Sequence, residues 1–476
     1  MATLARRTIR KPKSALRPAS VIGNRPLANV AACVADASAA IRDRDPGPAD
    51  PRQFADLMTR LTRAKSKLAP IYQQGMFDPF VATLTALGEN EFKKILASDV
   101  NNDRAGRLMM DIAQALLQPG EGFQHAALRA FQELVSDLYD GFLSAEDRRG
   151  VKPPDRGVTA PMVKFGEPRS GPYTWPIEAT GSFRVRGTPG PSSAVVSLPP
   201  SNGRLGLMAW SSIGHETAGH DILSADRGLK SEIADTVAEA LIAGGLRSLA
   251  EYWSERIDET ASDVMGILNM GPAAGIGLIA FFRGFDGLLR SDGPADDPHP
   301  ADVLRGFLAS ATVRLLEFDD HNRWADVIRA ETVRDMRRIT IAGRAVTPAQ
   351  AEKSATIVAQ TVVTTRLRSL ERTPLGRIQN WRNADEKIAD RLRAMLIAQG
   401  PLPNNFGSDA FAAHAVAAAV LAALAGQAAI PDLQTRMIKM LNVMHNQNAS
   451  FGPLFVSQPG NISAHFDYKE LMELTS

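Results

Sequence analysis

The segment Ser211-Ser212-Ile213-Gly214-His215-Glu216-Thr217-Ala218-Gly219-His220-Asp221 brings two imidazoles and a carboxylate close together in the chain. Zinc hydrolases commonly take two imidazoles from one helix and use a Glu beside the first to remove a proton from water on the metal. The usual separation of the imidazoles is four residues; here it is five. On an α-helix, positions i and i+4 lie about 40° apart around the axis and i and i+5 about 140° apart, so His215 and His220 reach one ion only if the turn widens. A single π turn widens it, and such turns concentrate at functional sites. Gly219, next to the second His, lowers the steric cost of that distortion.

A third ligand is available in Asp258-Glu259-Thr260-Ala261-Ser262-Asp263. At i, i+4 Glu259 and Asp263 share a helix face, so Glu259 can bind the ion while Asp263 holds an imidazole by its second nitrogen. Leu249, Trp253, Ile257, Ala261, Val264 and Leu268 form the apolar stripe of one host helix, and Glu251, Glu255 and Glu259 a separate acidic row, solvated at its first two members. Asp263 lies among apolar residues and needs a partner. Asp221, beside His220, is a neighbour that could close the site as a fourth ligand. In Asp297-Pro298-His299-Pro300 an imidazole is fixed between prolines, with Arg305 following. His299 is either a donor to a developing oxyanion or a plain loop residue; Arg305 is a partner for Asp263 or for substrate. Tyr252 and His321 are further candidates for the oxyanion. His125, His414, His445 and His465 read as locally satisfied.

The HExxxH run His215–His220 resembles the zinc helix of the dipeptidyl peptidase III family, and Glu259–Asp263 is similar to the E-x-x-x-D helix of thermolysin-type gluzincins. The order HE…H, E-x-x-x-D, HP…R resembles the layout of CAAX-type and heat-shock membrane metalloproteases, without their membrane spans. The resemblance covers His215 to Arg305 and leaves most of the chain outside it. It implies His215, His220 and Glu259 as zinc ligands, Glu216 as general base and Asp263 as the residue that orients a ligand.

The expected activity is that of a zinc-dependent hydrolase, a metallopeptidase with one Zn2+ per chain and a peptide or protein substrate. An exposed strand at Ser192–Leu198, ended by Pro199-Pro200, would pair with extended peptide. Two other readings stand beside it: a helical interaction protein with a structural or inactive zinc site, and a di-metal carboxylate oxygenase, which wants paired E-x-x-H helices where this chain offers E-x-x-x-H.

The elements that must position these groups are mostly helical. The fold class expected is mainly α (α+β), a helical zincin-like catalytic domain with a small β-rich segment and flanking helical regions. Residues 1–50, rich in Arg, Pro and Ala, read as a flexible basic tail; 51–147 as a helical region with periodic runs such as Phe54, Leu57, Met58 and Leu61. In 148–205 Pro and Gly punctuate short runs, Ser182–Arg186 and Ala194–Leu198 among them, giving a β-rich loop segment at the cleft edge. Residues 206–385 carry the metal-binding catalytic domain and 386–476 a C-terminal helical region.

Composition removes other classes. With Lys+Arg 54 against Asp+Glu 52 the net charge is +2, which gives no surplus for nucleic acid. The single cysteine, Cys33, excludes an internal disulfide framework and a thiolate cluster, so a metal must sit on His, Asp or Glu. That cysteine usage fits a reducing, cytoplasmic setting; the Arg-rich, acid-free start also occurs in organelle transit peptides. The apolar stretches Gly266–Phe282 and Ala410–Gly426 are rich in Ala and Gly, as buried helices are, and no integral membrane segment is expected.

Overall fold

Apolar residues at helical spacing dominate the sequence, and the computed structural model is 66% helical with two small mixed sheets, a mainly α protein with a small β segment. It describes residues 26–99, 105–144, 147–156, 159–166, 171–398 and 400–447; the basic run from Arg6 to Arg17 and His465 lie outside them. The longer helices, with the short one that enters the His-Glu-His run, are α1 Val30–Arg42, α2 Phe54–Ala64, α3 Asp78–Ser98, α4 Ala105–Glu121, α5 His125–Leu143, α6 Ala209–Gly214, α7 Leu229–Ala243, α8 Arg247–Glu255, α9 Ile257–Met270, α10 Pro272–Asp286, α11 Asp302–Val313, α12 His321–Asp335, α13 Pro348–Thr364, α14 Asn383–Ile397, α15 Ala412–Leu424 and α16 Ile430–Gln447. Among the described residues no helix is long and apolar enough to cross a membrane.

The sheet nearest the candidate site consists of β1 Met162–Phe165, β2 Tyr173–Trp175 and β3 Val195–Leu198 in the order β1-β3-β2, with β3 parallel to β1 and antiparallel to β2. Because side chains alternate along a strand, its two faces serve two cores. Met162 and Val195 join a smaller cluster built by α2, α3 and α4, whereas Val163, Phe165, Val196 and Leu198 join the main one. That main core runs from Cys33 of α1 through α5, α6, α9 and α10 to α15 and α16. Packing therefore does not divide at 147, 205 or 385.

Several expectations are corrected here. Residues 1–50 are not wholly a tail, because α1 buries Cys33 and Ala37 and packs on α10. Ser182–Arg186 is no strand; a short helix, Ile177–Ser182, ends there. β3 is the central, fully buried strand, so it has no free edge for a peptide; the edge strands are β1 and β2, of which β2 lines the cavity. The single helix expected from Leu249 to Leu268 is two. Arg256 breaks it with φ −104° and ψ 24°, and its buried guanidinium donates to the carbonyls of Pro294 and Ala295 at 3.2 and 2.7 Å. The break thus ties the loop that leads to His299 onto the start of α9.

At the other end of α9, Gly271 turns the chain at φ 60°, and Pro272 opens α10 as its first residue. The run Gly266–Phe282 is consequently two buried helices meeting at a corner.

His215–Asp221 forms a π-helical turn continuous with α6, the widening that the five-residue spacing requires. Gly219 has a more specific reason than backbone freedom. A Cβ there would lie 2.1 Å from the Cβ and 2.2 Å from the Cα of Ser262, so the turn packs directly on the backbone of α9. Gly219→Ala should therefore destabilise the fold by about 3 kcal/mol, the upper range for overpacking a core. Chemical denaturation measures this, and a variant as stable as the wild type would show that the two helices do not pack this closely.

Candidate metal centre

The π turn places His215 and His220 on one side, their rings 4.8 Å apart between centroids and their Nε2 atoms 3.1 Å apart. Glu259, on the first turn of α9, brings Oε2 to 3.2 Å from His215 Nε2 and Oε1 to 3.4 Å from His220 Nε2. Ligands about 2.0–2.1 Å from a tetrahedral zinc stand roughly 3.3 Å apart. The two Nε2 atoms, and each Nε2 with its nearer Glu259 oxygen, stand at separations of that size, the two rings facing different oxygens of the one carboxylate. Glu259 Oε2 is buried and, although close to His215, makes no hydrogen bond. A buried carboxylate oxygen without a donor is costly unless a cation meets it.

Each imidazole is anchored from behind. His215 Nδ1 pairs with Asp263 Oδ1 at 2.8 Å, and Asp263 in turn accepts two 2.7 Å bonds from Arg305, the bidentate geometry expected of guanidinium and carboxylate. His220 Nδ1 pairs with Asp258 Oδ2 at 2.9 Å, and the Lys230 ammonium lies 2.5 Å from the other Asp258 oxygen. With Nδ1–H donated to a carboxylate in both rings, both Nε2 atoms present lone pairs to the same point. The residues fit a divalent ion.

Glu216 adds a second carboxylate: one of its oxygens and a ring nitrogen of each imidazole all lie within 4.8 Å of one another, so Glu216 too is placed to meet an ion there. Two carboxylates therefore face the same point. Glu259 is the closer, with Oε2 near His215 and Oε1 near His220, while Glu216 Oε2 accepts a 2.9 Å hydrogen bond from the Thr174 hydroxyl of β2. That division suits Glu259 as ligand and Glu216 as base. A cavity of about 610 Å³ opens over them, its lining including Thr174 and the apolar side chains Leu278, Phe281, Phe282 and Phe285 of α10.

His299 reaches the cavity, half exposed, with Nδ1 held by Asp297 at 3.0 Å and Nε2 3.4 Å from Glu259 Oε1. Three other candidates are diverted. Tyr252 does not line the cavity; its hydroxyl is buried and accepts the Ala301 N–H at 2.9 Å. Asp221 turns away from the imidazoles, accepting the Ile177 N–H at 3.0 Å and the Tyr139 hydroxyl, so it closes no coordination sphere. His321 lies outside the cavity and pairs with the Arg314 carbonyl at 2.8 Å. His414 and His445 are satisfied by Asp385 and Glu133, as expected. The sequence reading missed Asp258, Lys230 and Thr174. Only Asp258 had a visible signal, a second acid directly before Glu259.

Burial pushes Glu259 up, but the adjacent His215 imidazole and the charges of His220 and Arg305 outweigh it and hold the carboxyl well below its usual range. Burial likewise pulls His215 down, and its bond to Asp263 together with the adjacent Glu259 carboxylate overcomes this and raises the imidazole to about 10. Without a metal, the cluster thus keeps a proton where the ion would be.

The comparisons with known proteins supply no relative: no family model matches the chain, and neither does any curated protein or solved structure.

Because His215 titrates higher in the fold than the ~6.5 of an unfolded histidine, its proton stabilises the metal-free protein fully below about pH 6.5. That contribution is lost as the pH rises through about 10. A metal must displace the same proton, so its affinity rises over this window, by up to about tenfold per pH unit. Chelated wild type should lose thermal stability relative to His215→Gln between about pH 7 and about pH 9.5, while zinc binding by calorimetry tightens. A zinc Kd that is flat in pH would contradict this.

Proposed function

We propose that the chain is a zinc-dependent hydrolase of peptide bonds, with His215, His220 and Glu259 holding one ion and Glu216 acting as general base. One observation carries the reading. Two anchored imidazole nitrogens 3.1 Å apart face one carboxylate, whose two oxygens lie 3.2 Å from His215 and 3.4 Å from His220, with a further carboxylate beside them and an open cavity above. The similarity of His215–His220 and Glu259–Asp263 to the motifs of gluzincin metallopeptidases points the same way.

Zinc bound there would acidify a water toward neutral pH and polarise the scissile carbonyl. Glu216 then takes the proton as the water attacks and returns it to the leaving amine, the two roles of one carboxylate on either side of its protonation. His299, fixed by Asp297, offers Nε2 to the oxyanion of the tetrahedral species. Asp263 and Arg305 keep His215 aligned, and Asp258 with Lys230 does the same for His220. β2 pairs only with β3 among the described residues, so its outer edge beside the cavity suits an extended peptide by strand addition.

A structural zinc site would need a fourth protein ligand. Asp221 faces elsewhere, which leaves Glu216 and His299 as groups that could close the sphere.

Glu216→Gln should lower peptide hydrolysis by at least about a hundredfold while one zinc per chain is retained. His215→Ala and Glu259→Ala should each abolish zinc binding. Metal analysis beside a peptide-turnover assay decides: full activity in Glu216→Gln rejects the mechanism, and loss of zinc in that variant makes Glu216 a ligand of a closed site.

A further inference from the structure

We propose that the buried Asp111–Lys164 pair is a positioning device for Glu216, acting through the edge strand β2 and the Thr174 hydroxyl; the inference rests on Glu216 being the base. Lys164 of β1 is 1% exposed, and its ammonium lies 2.7 Å from Asp111 Oδ1 on α4. The other oxygen of Asp111 accepts the Tyr173 hydroxyl at 2.8 Å and the Trp175 indole N–H at 2.7 Å. Lys164 also donates to the Tyr173 oxygen at 2.9 Å, and the Arg107 guanidinium lies 4.2 Å from the centre of the Tyr173 ring.

Tyr173 and Trp175 flank Thr174 in the strand. Since side chains alternate, anchoring both neighbours on one face of the sheet fixes Thr174 on the opposite face. There its hydroxyl sits 2.9 Å from Glu216 Oε2 and 3.0 Å from the Glu216 carbonyl. The strand has only three residues and, among the described residues, one partner, too little backbone pairing to hold it firmly by itself. A β-branched residue such as Thr restricts its own χ1, so a fixed backbone fixes the hydroxyl.

A buried ion pair is commonly no more stabilising than apolar residues of the same size, so its use here is sought in geometry. The same carboxylate that neutralises Lys164 takes both donors of β2, and one side-chain contact then carries the strand's position to Glu216. Helix α4, which carries Asp111, acquires a role in this way.

The double variant Asp111→Asn/Lys164→Met removes both charges together, and Tyr173→Phe/Trp175→Phe keeps the pair but removes the donors of β2; whichever folds decides. Hydrogen exchange on the zinc-loaded protein should show peptides covering 173–175 exchanging about tenfold faster, the size expected when anchoring hydrogen bonds are lost. Protection of His215–Asp221 and the zinc stoichiometry should stay as in the wild type. Thr174→Val should lower kcat about tenfold, with KM changed by less than about twofold, and Thr174→Ser should restore it. Unchanged exchange in 173–175 would overturn the anchor, and wild-type kcat in Thr174→Val would overturn its connection to Glu216. If the wild type cleaves no peptide, the proposed function fails, and the exchange measurement still judges the anchor by itself.

Discussion

Two imidazole nitrogens and the two oxygens of one carboxylate face one another across 3.1 to 3.4 Å in a buried corner. Lone pairs so placed repel, and the repulsion is strong where the surroundings are poor in water. A cation must compensate, either the proton that lifts His215 to about 10 or a divalent ion. The surrounding charges are consistent with the ion. Four carboxylates, Glu216, Asp258, Glu259 and Asp263, face two cations, Arg305 and Lys230, and a charge of +2 closes the difference.

That constraint explains features of the fold that helix propensity does not. The π turn is needed for the imidazoles to share a side, and it runs against α9 so closely that Gly219 has no room for a Cβ. The first turn of α9 must supply Asp258, which holds His220, and Glu259, which meets both rings, while Asp263 one turn later holds His215. A continuous α8–α9 helix would run past the loop that carries His299. Breaking at Arg256 lets one buried guanidinium hold that loop by its carbonyls instead.

The parts legible in the sequence are those where chemistry dictates local spacing. The i, i+5 imidazoles demanded a π turn; Glu259 and Asp263 at i, i+4 had to share a face; Asp263, a carboxylate among apolar residues, had to find a cation, which is Arg305. What could not be read depended on pairing between distant segments. The run around Val195 is apolar except for Ser197, which points to a buried strand but does not distinguish a central from an edge one. Tyr252 and Asp221 have suitable side chains in suitable stretches, yet the Ala301 and Ile177 amides claim them, and no periodicity reveals such a partner. The helix in 30–42 was hidden by the Ala-rich composition it shares with a linker, because its burial comes from α10 and α15, hundreds of residues away.

The sheet shows how so little β structure can matter. Three strands of three or four residues supply few hydrogen bonds, but they form a partition with a different core on each face. A shift of one residue in β2 would exchange those faces, placing Thr174 against Asp111 and the two aromatic rings against the π turn. One side needs bulky donors around a buried ammonium, and the other needs a small hydroxyl close to Glu216. The demands are opposite in size and polarity, so the sequence Tyr-Thr-Trp satisfies them in only one register. Specifying that register is work that the backbone pairing of so short a strand cannot do alone, and the side chains on its two faces do it.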